Sequence, residues 1–175
     1  MKEFAGFVAF CLVILASAFE GAQAENSSSA EARLREKNIT LPAEAAPVGS
    51  YVNAVQVGNL LFMAGSVASE PKGKLGRDLT VERGYEAARQ AVLITLAKVR
   101  AALGSLDWVK RVVKVVGMVN SVDDFDDQAK VINGYCDLMI KVFGESKGRH
   151  ARSSLGVAAL PRHAAVEVEM ILEEQ

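Results

Sequence analysis

The sequence predicts an α+β domain of element order ββαβαββ, with two helices packed on one face of a mainly antiparallel sheet. Two central stretches repeat apolar residues at three-to-four spacing, the pattern of amphipathic helices. Around them lie alternating or Val-rich runs bounded by Gly, Asn and Pro, which read as strands. Half of the 175 residues are apolar, and a chain of this length can bury a sizeable core in one domain.

The first 24 residues, MKEFAGFVAFCLVILASAFEGAQA, read as a separate module. Lys2 supplies a positive start, Phe4 to Phe19 is an apolar run, and Ala22-Gln23-Ala24 fits a signal cleavage site. Residues 1–24 are therefore expected to be a signal peptide, with an uncleaved anchor or a wrongly assigned start codon as the rival readings. The run is short for a membrane span. Residues 25–46 read as a linker carrying a short helix near Ala30 to Lys37, and residues 47–175 as the folded domain.

YVNAVQV and LLFMAGSVA form two expected strands around Gly58-Asn59, a hairpin dipeptide. A first helix is expected from about Thr80 to Leu103, striped by Tyr85, Ala88, Val92, Leu96, Val99 and Leu103 and stopped by Gly104. VKRVVKVVGMVNS follows as a strand. Its Val112, Val116 and Met118 alternate with Val113, Val115 and Val119, so both faces are mainly apolar. Helices can cover only one face, which predicts that copies of the chain bury the other. Asp123 is placed to cap a second helix striped by Phe125, Ala129, Ile132, Tyr135, Cys136, Met139 and Phe143, ending at Gly144. The last segment, Gly148 to Glu169, has two alternating runs flanking Leu160-Pro161 and reads as a β-hairpin. Arg152 and Glu167 stand at similar distances from that turn, so the pattern predicts a cation and a carboxylate meeting across it.

Composition excludes several classes. Net charge is −1, and removal of residues 1–24 would leave 19 basic and 19 acidic side chains, so no basic field draws in nucleic acid. Lys110, Arg111 and Lys114 read as a solvated strand edge. There is no P-loop, dinucleotide fingerprint or Ser-His-Asp pattern. His150 and His163 lack a third ligand, so no metal site is expected. Of the two cysteines, Cys11 lies in the leader, and Cys136 reads as a buried structural thiol with no disulfide partner.

Three segments carry a resemblance: PVGSYVNAVQVGNLLFMAG, VINGYCDLMIKVFG and ARSSLGVAALPRHAAVEVE. Together they make the chain, from about Leu41 to Glu174, similar to the RidA (YjgF) family of reactive-intermediate deaminases, also known as endoribonuclease L-PSP. The resemblance implies a chorismate-mutase-like fold and a homotrimer with three active sites between subunits. It implies catalytic roles for Arg152, holding a substrate carboxylate, and for Glu167, positioning a water. A guanidinium is charged at any working pH and presents a planar fork matched to a carboxylate. One carboxylate in a partly dry pocket can deliver water to a C=N carbon and return a proton to departing ammonia. Substrate-binding positions would be Tyr51, Gly65, Asn133 and Ser154. Without the family, Arg152 reads as an interface ion-pair residue, Glu167 as an exposed strand carboxylate, Tyr51 as interface packing and Asn133 as a helix-surface residue.

Two positions depart from the family pattern: Ala64 stands where a Ser or Thr is usual, and Ser154 where many members carry Cys. The loop GESKGRH also differs from the usual one. The expected function is an enamine/imine deaminase acting on 2-aminoacrylate-type intermediates with no cofactor. Its partners would be a small carboxylate-bearing substrate and copies of itself, with no nucleic acid, and no membrane once the leader is cleaved. The leader implies an exported, periplasmic location, at odds with the mainly cytosolic origin of such intermediates. An exported trimeric carboxylate-binding protein without turnover is therefore the alternative, with a holdase-like interaction protein third.

Overall fold

Thr80 starts the long helix as predicted: its hydroxyl accepts from the Arg83 amide, and Gly104, at φ 82, ends the helix in the left-handed region. The computed structural model describes residues 29–175, so the expected leader, and the linker up to Ser28, lie outside the described residues. A short helix α1 spans Ala30–Glu36, and α2 spans Val81–Leu103. The second long helix, α3, runs Gln128–Phe143 and is followed by the single turn α4 at Glu145–Gly148. Asp123 does not cap α3. The cap position is Asp127, whose carboxylate pairs with Lys130 at 2.8 Å instead of bonding a backbone amide.

Among the described residues five strands form one sheet: β1 Ala54–Val57, β2 Leu60–Val67, β3 Val109–Asn120, β4 Ala151–Val157 and β5 Val166–Glu174. Their spatial order is β1-β2-β5-β3-β4, and only the β3–β4 pair is parallel. The predicted order ββαβαββ and the one-sided helix layer are both present. The C-terminal hairpin is not. β3 lies between β4 and β5, pairing Val115 with Arg152 on one edge and Met118 with Glu167 on the other. The residues between Val157 and Val166 are too many for a tight turn, and they cross the end of β3 instead. Lys74 Nζ holds this crossing by bonding the Ala158 carbonyl at 2.6 Å, and Asn120 Nδ2 bonds the Ala164 carbonyl at 3.2 Å.

Irregularities in β3 also change the predicted alternation. Its pairing with β5 shifts register between Val112 and Lys114, so Val112 and Val115 are both buried under the helices. Val112 therefore does not share a face with Val116. Lys114, Val116 and Met118 face away from the helices, paired with Ile171, Glu169 and Glu167. This second face stays apolar and open in the single chain: Phe62 is 40% exposed, Val55 51% and Leu155 49%.

The helix layer is held close by small residues. Gly134 of α3 packs against the backbone of α2, where a Cβ would collide with the Tyr85 carbonyl oxygen. Tyr85 also donates its hydroxyl to Asp137 at 2.9 Å, tying the same two helices together. Gly134→Ala is expected to lower stability by about 1–3 kcal/mol through overpacking, outweighing the roughly 1 kcal/mol that alanine gains in helix propensity. A urea-denaturation midpoint at or above that of the parent would contradict this account of the α2–α3 contact.

Candidate functional site

Ala64 and Gly65 sit where β2 loses regular pairing with β5, between Met63 and Ser66. The Ala64 amide instead bonds the Asn53 carbonyl at 2.9 Å, which draws the lead-in segment over the sheet. Asn53 in turn donates to Glu44 at 2.8 Å. Between this segment, the bulge, α2 and β5 lies a cavity of about 1000 Å³, whose lining includes Tyr51, Ala64, Gly65, Lys98, Arg162 and Glu167.

Gly65 makes room for the carboxylate: a Cβ there would meet Glu167 Oε1, and the Glu167 side chain would have to turn away. Lys98 reaches the same point from α2 and donates Nζ to the Gly65 carbonyl at 3.0 Å. Burial pushes the Glu167 carboxyl above its ordinary pKa, with Glu169 adding to the effect and Lys98 opposing it. Burial likewise lowers the Lys98 ammonium, while Glu167 and Glu44 hold it up. Tyr51 is 49% exposed at the cavity edge, with its hydroxyl accepting from the Val48 amide at 3.5 Å. Three of the expected site residues, Tyr51, Gly65 and Glu167, therefore share one cavity.

The other three form a separate cluster on the helix side of β4. Arg152 Nη1 donates to Asn133 Oδ1 at 2.7 Å and to Cys136 Sγ at 3.6 Å. Ser154, two residues along the same face of β4, has a buried Oγ without a hydrogen-bond partner. Glu167 belongs to the opposite face of the sheet, two strand spacings away, roughly 10 Å. The expected meeting of Arg152 with Glu167 across a turn does not occur within one chain, because β3 stands between their strands.

Two features escaped the sequence reading. Lys98 is only 7% exposed, and it continues the buried ridge of Ala87, Ala91 and Thr95, a charged residue at an apolar position that signals a site. Cys136 is buried as expected, but it is not simply packed, since His150 Nε2 lies 3.1 Å from its sulfur. Among the described residues no group of three or more His, Cys, Asp or Glu side chains is placed to hold a metal ion.

Comparison with known proteins places this geometry in context. The family model described as endoribonuclease L-PSP matches residues 42–174. Protein TCP17 of Trypanosoma cruzi is 45% identical over 152 residues, covering 84% of this chain and 95% of that protein. A 2-iminobutanoate/2-iminopropanoate deaminase of Dermatophagoides farinae is 31% identical over 134 residues, covering 77% of this chain and 93% of the deaminase. Among solved structures, the protein Atu1372 from Agrobacterium tumefaciens is 41% identical with a TM-score of 0.76, covering 83% of this chain and 92% of that one.

The raised Glu167 pKa has a consequence for stability. The folded protein binds this proton more tightly than the unfolded chain, so stability falls as pH rises from the ordinary glutamate value through the raised one. Glu167→Gln removes the carboxylate that burial penalises. The variant is expected to be the more stable protein near neutral pH, with the difference disappearing below the ordinary glutamate value. Thermal midpoints measured across that range would refute this if the difference did not change with pH, or if the glutamine variant were the weaker at neutral pH.

Proposed function

The chain belongs to the RidA (YjgF), or endoribonuclease L-PSP, family, and from that premise we propose that it is an enamine/imine deaminase. It would hydrolyse 2-aminoacrylate-type intermediates to 2-keto acids and ammonia. The observation that carries the reading is the division of the site: a half-buried carboxylate in a large cavity on one side of the sheet, and an oriented guanidinium on the other. Neither half is sufficient alone, and the apolar open face offers the surface through which a second copy completes it. We place the Arg152, Asn133 and Ser154 half of one copy against the Tyr51, Gly65 and Glu167 half of the next, in a homotrimer with three such junctions.

In this arrangement Arg152 holds the substrate carboxylate, and Asn133 fixes the guanidinium by accepting one of its hydrogens. Glu167 takes a proton from water as its oxygen bonds to the C=N carbon. It passes that proton to the nitrogen, which has received the C=N π pair, and then carries the carbinolamine O–H proton to the same nitrogen as C=O forms, the C–N bond breaks and ammonia leaves. Burial holds this carboxyl above its ordinary pKa, so it binds the proton more readily than an exposed glutamate and can return it to nitrogen. Gly65 lets the carboxylate lie directly against the backbone, and Tyr51 borders the entrance. The deaminase named among the relatives supports this chemistry. The lack of a net positive charge argues against RNA as the substrate, and Lys110 is engaged by Glu173 at 2.7 Å. Export belongs to the same proposal, with cleavage after Ala24 leaving Glu25 as the first residue; N-terminal sequencing of the protein from its own cells would find Glu25 there.

A coupled assay in which an amino-acid oxidase generates the imine tests the activity. Arg152→Gln and Glu167→Gln are each expected to lower kcat/KM by about 10²-fold or more. Failure of the parent protein to accelerate keto-acid release, with ligand binding intact, would replace this reading with the carboxylate-binding alternative. The division of the site has its own test. When the two inactive variants are unfolded, mixed in equal amounts and refolded, about one quarter of the junctions receive both native side chains, and activity returns in that proportion. No recovery would rule out a site shared between copies.

A further inference from the structure

Cys136, His150 and Arg152 make a second constellation that imine hydrolysis does not use in full. His150 Nδ1 lies 2.6 Å from the Gly148 carbonyl, which can only accept, so Nδ1 carries a proton. Burial, helped by the neighbouring Arg152 charge, keeps the imidazole below its ordinary pKa, so Nε2 is an unprotonated acceptor at neutral pH. That nitrogen is 3.1 Å from Cys136 Sγ. Burial raises the thiol, and Arg152 at 3.6 Å pulls it back down. A nucleophile, a base and an acceptor that fixes the base's tautomer therefore stand in line. The neighbouring Ser154 Oγ, buried and unpartnered, leaves a hydroxyl unsatisfied on the same face of β4.

We propose that Cys136, His150 and Arg152 form a thiol site that captures small electrophilic carboxylates, with α,β-unsaturated acids as the ligand class. Arg152 holds the carboxylate, His150 Nε2 takes the thiol proton, and Sγ bonds to the β-carbon. The C=C π pair moves to the α-carbon, which receives the proton from His150. The product is a thioether, formed with no oxidant and no leaving group. The role of Arg152 as carboxylate holder is shared with the deaminase reading and rests on it, whereas the thiol chemistry does not. A 2-amino-substituted unsaturated acid reaching this arginine would have two fates, hydrolysis or addition to Cys136.

The test compares iodoacetate with iodoacetamide on the full chain, read by peptide mass spectrometry so that Cys136 and Cys11 are scored separately. In either alkylation Sγ displaces iodide and the thiol proton passes to His150. Relative to iodoacetamide, iodoacetate is expected to modify Cys136 about tenfold or more faster than it modifies N-acetylcysteine, because Arg152 binds the reagent's carboxylate. Arg152→Gln should abolish that preference and Arg152→Lys retain part of it. His150→Gln should slow both reagents about tenfold or more. Incubation with acrylic acid should add one molecule to Cys136 of the parent and none to Cys136→Ser. The proposal is overturned if the reagent ratio at Cys136 equals that of the free thiol, if Arg152→Gln leaves the ratio unchanged, or if folded protein resists both reagents while unfolded protein reacts. Alkylation does not require turnover, so a protein that passes this test and fails the imine assay disproves only the deaminase reading.

Discussion

β3 is hydrogen-bonded along both edges, antiparallel to β5 and parallel to β4, and the rest of the architecture depends on that double pairing. A parallel partner must be reached by a crossover, and α3 with α4 supplies it, lying over the sheet on the same side as α2. The chain then needs a second crossing, over the end of β3, to bring β5 to the other edge. Asn120 and Lys74 hold that crossing by satisfying carbonyls along it. The strand that organises the core also separates Arg152 from Glu167, and the separation turns an apparent pair into two distinct clusters.

At the cavity, the same economy of contacts concentrates charge where burial opposes it. The bulge at Ala64 and Gly65 removes a stretch of ladder and opens room for Glu167 against the backbone and for Lys98 from the facing helix. A half-buried carboxyl without a hydrogen bond and a nearly buried ammonium with one carbonyl partner are both costly to stability. Each moderates the other's charge, and neither improves the packing of the core. Groups kept in such positions are the mark of a site. On the far side of the sheet, Asn133 and Cys136 lie one helical turn apart on the face of α3 toward β4, and both accept from Arg152.

Much of this was legible in the residues. Thr80 and Gly104 bracket α2 in the sequence because capping is local chemistry, settled by a hydroxyl and by a residue without Cβ. The β1–β2 turn at Gly58-Asn59 is legible for the same reason. The end of β4 and start of β5 were misread because alternation reports which residues share a face and says nothing about which strand lies alongside. The shift of Val112 onto the face of Val115 was hidden similarly, since a bulge adds one residue without any mark in composition. The start of α3 was misplaced because several acidic residues compete for the cap, and Asp127 gives its carboxylate to Lys130.

Element types and order, the one-sided helix layer, the doubly apolar β3 and the chemical identity of the candidate residues can all be read from the residues alone. These follow from period, capping and side-chain chemistry, all short-range properties. The grouping of Arg152 with Asn133, Cys136 and His150, and of Glu167 with Gly65 and Lys98, emerges on folding. Those groupings depend on long-range strand order. Strand order is set by which edges remain free to hydrogen-bond once β3 has taken its place between β4 and β5.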